Sequence, residues 1–312
     1  MLECSVIVVS WNVRDLLRRC LESVRRELAA NAVSAEIIVV DNASADGSPA
    51  MVRAEFPEAE LIETGANLGF AGGVNAGLAR ARGRWLLVLN PDTELEPAAL
   101  ATLLHWAERL PGAAVAGPQL RYPDGSLQSS RRRLPTPLTY FFESTLLARW
   151  WPGNPWARRY HLANRPAEAQ QRVDWLVGAA LLVRRSAAEA AGPLDERFWM
   201  YSEELEWQRR LGAHGGIWYV PQAVIVHHEG RSSEQAPLRK HLAFQRSKLR
   251  YAALAHGPAL ATALHLFLLA TYGLDWLAEA AKWALGHKRE LRRERLAIYG
   301  AVVGALLRGE RQ

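Results

Sequence analysis

Asn67-Leu-Gly-Phe-Ala-Gly-Gly-Val-Asn-Ala-Gly-Leu-Ala-Arg-Ala-Arg-Gly-Arg-Trp-Leu-Leu-Val-Leu-Asn-Pro-Asp-Thr-Glu94 is the stretch whose reading decides the fold. It runs from a glycine-rich loop through a helix of small residues to an apolar strand, Trp85 to Leu89, and ends on a carboxylate. Open α/β sheets bind ligands beyond the carboxyl ends of their strands. Asn90-Pro91-Asp92-Thr93-Glu94 therefore stands where a divalent cation and a diphosphate can meet.

Upstream, Ser5 to Ser10 reads as a strand, Val13 to Leu28 as a helix, and Glu36 to Val40 as a second strand running into Asp41-Asn-Ala-Ser-Ala-Asp-Gly47. This is a βαβ opening. A helix from Pro49 to Phe56, a strand at Glu60 to Glu63 and a helix from Gly72 to Ala81 complete the approach. Beyond the block, Pro97 to Leu110 is helical and Ala113 to Gly117 a short strand. Pro118 to Arg172 has no clear period and carries Arg131 to Arg133, Trp150, Trp151 and Trp156. It reads as a variable insert, whose aromatic rings either stack on sugars in an acceptor pocket or pack under a long loop. Strand character returns from Val173 to Val183. A helix to Ala191, a break at Gly192-Pro193, a helix from Ser202 to Leu211 and a strand from Ile217 to Val226 follow.

A chain of 312 residues with 49% hydrophobic and 22% charged residues is globular, with room for one large core and an appendage. Cys4 and Cys20 lack metal or redox spacing and read as buried apolar residues. The apolar run Val6 to Val9 is too short for a signal peptide, so the mature protein is expected to start at Met1. The net charge of +6 is concentrated late: five basic and no acidic residues from Gln235 to Leu274, then seven basic against three acidic from His287 to Gln312. Between them, Pro258 to Gly286 is rich in Leu and Ala, interrupted by His265, Asp275, Glu279 and Lys282. On this reading it falls short of a membrane span and fits an interfacial anchor on anionic lipid, or a helical cap with a charged tail. Nucleic acid is a poor partner despite a pI near 9.6, because the basic residues flank apolar helix and follow no groove-reading motif.

Gly65, Gly69, Gly72, Gly73 and Gly77 do not supply the G-x-G-x-x-G spacing of dinucleotide sites, and no Walker lysine motif is present. Hydride transfer and ATP hydrolysis lose their usual support. Asp41-Asn42, Asn90-Pro91-Asp92 and His227-His228 do fall at strand ends, and oxygen with imidazole ligands there suit a divalent cation shared with phosphate oxygens.

Taken in order, Ser5-Val-Ile-Val-Val-Ser-Trp-Asn12, Ile38 to Ser48, the Asn67 to Glu94 block, Asp174 to Arg185, Asp195 to Trp207 and His227-His-Glu-Gly-Arg-Ser-Ser233 resemble a family 2 glycosyltransferase of the GT-A fold, in its rhamnosyltransferase-type branch. The resemblance implies an α/β, Rossmann-like nucleotide-sugar-binding mixed sheet flanked by helices. It implies a GT-A domain over 1–234, with 118–172 as its acceptor-side insert, and a basic, membrane-associating helical region over 235–312. Nucleotide-sugar contacts are assigned to Ser10, Asn12, Asp41, Asn67, Gly69, Asn75, Asn90 and Asp92. A divalent metal, Mg²⁺ or Mn²⁺, is assigned to Asp92 and to a late histidine. Adjacent strand residues face opposite ways, and the spacing to Gly230 and Ser232 favours His227 over His228. Position 90 departs from the family's second carboxylate. Where the family carries Glu-Asp this chain has Glu203-Glu204, which leaves Glu204 as the aligned catalytic base and Glu203 as its alternative.

The implied activity is inverting, metal-dependent transfer of a sugar, L-rhamnose from dTDP-rhamnose, to a cell-envelope polysaccharide or lipid-linked glycan. UDP-galactofuranose or UDP-N-acetylglucosamine are the other donors, and a catalytically weakened nucleotide-sugar-binding protein is the reading of a different class. The expected location is cytoplasmic, peripheral on the inner face of the cytoplasmic membrane.

Overall fold

The structure is a computed structural model that describes residues 2–228 and 237–308. In chain order its elements are β1 (Cys4–Ser10), α1 (Arg14–Asn31), β2 (Ala35–Asp41), α2 (Ser48–Glu55), β3 (Glu60–Glu63), α3 (Gly69–Leu78), β4 (Trp85–Leu89), β5 (Thr93–Leu95), α4 (Ala99–Arg109), β6 (Ala113–Arg121), β7 (Leu127–Gln128) and β8 (Arg131–Arg132). Then come α5 (Pro137–Phe142), α6 (Leu146–Trp150), α7 (Pro155–Tyr160), β9 (Gln171–Val173), β10 (Trp175–Leu176), β11 (Ala180–Arg184), α8 (Arg185–Ala191), α9 (Glu203–Leu211), β12 (Gly216–His227), α10 (Pro237–His256), α11 (Pro258–Ala284) and α12 (Arg289–Leu307). They fall into two compact units, residues 2–134, 161–199 and 203–228 in the first, and 135–160, 200–202 and 237–308 in the second.

The first unit is built on a sheet ordered β3-β2-β1-β4-β11-β6-β12-β5, with β7 beside β6 and β9 beside β12. Strands β1 to β4 run parallel, and β11 enters antiparallel between β4 and β6. The chain winds outward from β1 to β3, then returns to lay β4 on the other side of β1. That reversal opens a crevice beyond the ends of β1 and β4. Side-chain alternation fills both faces. Val6 and Val8 pack with Leu17, Leu21 and Leu103, whereas Ile7 and Val9 pack with Val74, Trp207 and Leu211. Burial pushes the Cys4 and Cys20 thiols up to about 12, so both are inert apolar fillers.

Helix α3 starts at Gly69, ahead of the expected Gly72. Its glycines serve close packing: a Cβ at Gly73 would overlap Val9, and one at Gly77 would overlap Ile7. The single strand expected from Val173 to Val183 is broken. Val173 ends β9, which pairs with β12; β10 pairs with β8 in a separate ribbon, and β11 returns to the main sheet, so the chain must turn at Gly178 and Ala179. The expected insert is likewise divided. Its flanks form strands of the first unit, while 135–160 forms α5 to α7 of the second. There Phe142 stacks on Trp156 with centroids 4.4 Å apart, and Trp151 meets both edge-on.

The second unit is helical. Lys248 is buried, its Nζ donates to the Glu143 carbonyl at 3.0 Å, and burial lowers its pKa to about 8. Ser247 Oγ donates to the Met200 carbonyl at 2.8 Å. The expectation that α11 is too interrupted to span a membrane is corrected. Glu279 and Lys282 fall near its C-terminal end, and an 18-residue window of mean hydropathy 1.3 makes the helix, by length and composition, long and apolar enough to cross a bilayer. Glu279 itself is buried and bonded by Arg292 of α12 at 2.6 Å and by Lys282 at 3.0 Å, which pins the two helices together.

Gly77→Ala is expected to cost about 1–3 kcal/mol through overpacking. A lower denaturation midpoint at unchanged m-value checks it, and a wild-type midpoint would mean that α3 has room to move.

Candidate active site

At the ends of β1 and β2 the parallel register puts Ser10 beside Asp41. Asp41 Oδ2 accepts the Ser44 amide at 2.9 Å, but Asp41 Oδ1 and Ser10 Oγ are buried without a partner among the described residues. Leaving such atoms unsatisfied costs about 1–3 kcal/mol each, so the pair is poised for a polar ligand. Asn12, at φ 52°, ties the two strand-end loops together: its Oδ1 accepts the Ala45 amide at 2.7 Å and its amide donates to Ser44 Oγ at 2.9 Å. Asn67 Oδ1 accepts the Gly69 amide at 3.0 Å, and the Gly69 carbonyl accepts Asn42 Nδ2 at 2.9 Å. The Asn75 amide turns to the backbone of Leu194. These groups shape the loop from within.

The second cluster depends on β5 pairing with β12, which sets Thr93 opposite His227 and carries the His228 amide to the Asp92 carbonyl at 2.9 Å. The alternation along β12 separates the two histidines. His227 Nε2 lies 3.3 Å from Asp92 Oδ1, both side chains being buried, and His228 Nε2 lies 2.8 Å from Glu94 Oε1. His227 Nδ1 is 2.9 Å from Gln128 Oε1 on β7. An amide oxygen there assigns the proton to Nδ1 and leaves the Nε2 lone pair facing Asp92. Adjacent ligands on an octahedral cation with bonds of about 2.1 Å stand about 3 Å apart, so the Asp92–His227 edge fits a divalent ion. No group of three or more His, Cys, Asp or Glu gathers among the described residues, so phosphate oxygens and water would complete the shell. Asn90 is half-exposed, with its backbone amide on the Ala179 carbonyl at 2.9 Å. Gln128 was missed by sequence reading, because it stands in the stretch without periodicity. Gly230, Arg231 and Ser232 of the histidine segment lie outside the described residues.

The third cluster is the start of α9. Tyr201 and Ser202, at φ 68° and 63°, lead into it through the left-handed region, a strain of about 1–3 kcal/mol per residue that concentrates at functional sites. Glu203 is buried with Oε2 lacking a hydrogen-bond partner among the described residues, and its pKa is raised well above the ordinary carboxylate value by burial and then by Glu204. Glu204 packs over Gly178, where a Cβ would stand 3.1 Å from the Glu204 Cβ. Glu206 holds Arg210 at 2.8 Å, and Trp207 Nε1 donates to the Gly192 carbonyl at 2.9 Å, so both fasten α9 to the Gly192-Pro193 break.

A doubly covered mixed sheet, open at its switch point, is the frame that carries these three clusters. The chain belongs to glycosyl transferase family 2, whose sequence model matches residues 5–189. It is 35% identical over 250 residues to the N-acetylglucosaminyl-diphospho-decaprenol L-rhamnosyltransferase of Mycobacterium tuberculosis, an alignment covering 76% of this chain and 80% of that protein. It is 37% identical over 115 residues to the succinoglycan biosynthesis protein ExoO of Rhizobium meliloti, covering 36% and 32%. Among solved structures it resembles the Pyrobaculum calidifontis mannosyltransferase in complex with GDP-Man and Mn²⁺, at TM-score 0.56 and 17% identity over 98% of this chain and 86% of that one. S. aureus TarS residues 1–349 superpose at TM-score 0.53 and 13% identity, covering 99% and 92%.

Because the Glu203 pKa is higher in the folded chain than in the unfolded one, its contribution to stability is complete below the ordinary carboxylate range and is lost as pH rises through the raised value. Glu203→Gln is therefore expected to unfold at higher denaturant than wild type near pH 8, with the gap closing near pH 4. A pH-independent difference would contradict the buried, protonated assignment.

Proposed function

We propose that the protein is an inverting, metal-dependent glycosyltransferase that moves L-rhamnose from dTDP-rhamnose to a lipid-linked cell-envelope glycan. The buried Asp92–His227 pair carries the chemistry of this reading, since its spacing suits a divalent ion that would neutralise the departing diphosphate. The sugar and acceptor are supported by the Mycobacterium tuberculosis relative, whose name gives both. Ser10 and Asp41 offer unpaired acceptors to the nucleoside.

In the transfer itself the acceptor oxygen bonds to the anomeric carbon as the carbon–oxygen bond to the diphosphate breaks. The bond's electron pair leaves with the nucleoside diphosphate, and the hydroxyl proton must pass to a base on the opposite face. Burial disfavours the ionised form of Glu203, which supports Glu204 as the base. Neutral Glu203 also spares Glu204 a second negative charge beside it.

The acceptor reading brings a membrane with it. Residues 235–312 carry thirteen basic and five acidic side chains, a net charge of +8 against +6 for the whole chain. Leu266, Leu274 and Leu277 are 60%, 55% and 59% exposed, and at 100° per residue they share one face of α11. An anionic bilayer surface suits both the charge and the apolar face.

Three measurements test these readings. Incubation with dTDP-rhamnose, UDP-galactofuranose or UDP-N-acetylglucosamine and Mn²⁺ or Mg²⁺ should release nucleoside diphosphate from the first; donor binding without any release would favour a binding protein. Asp92→Asn should lose more than about a hundredfold in turnover, and Glu204→Gln about 10²- to 10⁴-fold with donor affinity kept. An inactive Glu203→Gln beside an active Glu204→Gln would move the base by one residue. Replacing Leu266, Leu274 and Leu277 together by Ser should abolish flotation with phosphatidylglycerol vesicles. Unchanged flotation, or a dimer becoming a monomer in gel filtration, would assign that face elsewhere.

A further inference from the structure

Asn75 and Gly69 sit in the block that resembles the family's nucleotide loop, yet both are engaged by the loop that leads to α9. Asn75 grips a single backbone residue from both sides: Nδ2 donates to the Leu194 carbonyl at 2.9 Å, and Oδ1 accepts the Leu194 amide at 2.8 Å. Nδ2 also donates to Glu196 Oε1 at 2.9 Å. Earlier on the same helix, the Phe70 amide donates to the Trp199 carbonyl at 2.9 Å. The Trp199 carbonyl and indole lie against Gly69, where φ is +75° and any Cβ would overlap them. The start of the loop is tied to α9 itself, through Trp207 Nε1 on the Gly192 carbonyl at 2.9 Å and Arg210 on the Pro193 carbonyl at 2.8 Å. Four and five residues beyond Trp199 the backbone reaches Glu203 and Glu204.

We propose that Asn75, with the Gly69–Trp199 contact, is a positioning element for the carboxylate base. Helix α3 sets the level of the loop, the loop sets where α9 begins, and the start of α9 sets where Glu204 stands relative to the acceptor hydroxyl. The inference rests on the reading of Glu204 as the base. It separates two duties within one block, since the nucleoside is left to Ser10 and Asp41 while Asn75 acts on proton transfer. The Asn42 Nδ2 bond to the Gly69 carbonyl joins the two duties, because Asn42 follows Asp41 directly.

Full-length Asn75→Ala and Trp199→Ala test it, with affinity for dTDP or UDP, whichever binds wild type, measured by calorimetry in Mn²⁺. Transfer to acceptor and slow donor hydrolysis to water are measured alongside. Transfer turnover is expected to fall about 10- to 100-fold, as misplacing a reacting group does, with nucleotide affinity unchanged and hydrolysis retained, so that the ratio of transfer to hydrolysis drops. A purely structural defect would lower all three together, and weaker nucleotide binding with normal turnover at saturation would return Asn75 to the nucleotide; either result overturns the proposal. Trp199 is half-buried, so its variant carries the test if Asn75→Ala melts early. Active Asn75→Ala and Trp199→Ala beside an inactive Glu204→Gln would overturn the positioning role alone, whereas an active Glu204→Gln would remove the base assignment itself.

Discussion

The parallel pairing of β1 with β4, Cys4 to Val8 against Trp85 to Leu89, is the contact on which the rest of the catalytic unit depends. Both strands are buried on both faces, so a one-residue slip would send Ile7 and Val9 to the side now filled by Val6 and Val8. A register held that firmly is also a ruler. It leaves Ser10 and Asp41 beside one another at one strand end and Asn90 at the neighbouring one, where the reversal of strand order opens the crevice. The close-packed glycines of α3 serve the same end, because they let the helix rest on β1 and keep its first turn near those strand ends.

The chemistry is assembled by contacts that cross long stretches of chain. The β5–β12 ladder joins Asp92 to His227, and Gln128 orients the imidazole from a third strand. At α9 burial, and then the neighbouring Glu204, raise the Glu203 pKa well above the ordinary carboxylate value. In the helical unit, Glu279 and Arg292 are buried as a pair, an arrangement that is costly to break and that holds α11 to α12.

Much of this was legible beforehand. The strand at Trp85 to Leu89 is legible to the residue, because an apolar run between turn residues carries its own boundaries, and a strand near Glu60 to Glu63 is found there. Asp92 and the two histidines could be named from their places at strand ends. The break in Val173 to Val183 was not legible, since β10 and β11 join different sheets and periodicity cannot say which. The extent of the apolar helix α11 was legible, but its capacity to span was not, because counting interruptions leaves out the mean hydropathy of the residues around them.

The sequence by itself determined the alternation of strands and helices, the apolar strands of a doubly covered sheet, and the carboxylates and imidazoles on offer, because periodicity and local residue type are properties of neighbours in the chain. Only the tertiary structure decided which histidine meets Asp92, that Glu203 is buried, and that Asn75 faces Leu194. Each of those outcomes depends on which side chains are brought within about 3 Å and which are shut away from water. Such distances are set by strand register and packing between residues far apart in sequence, which no local pattern encodes.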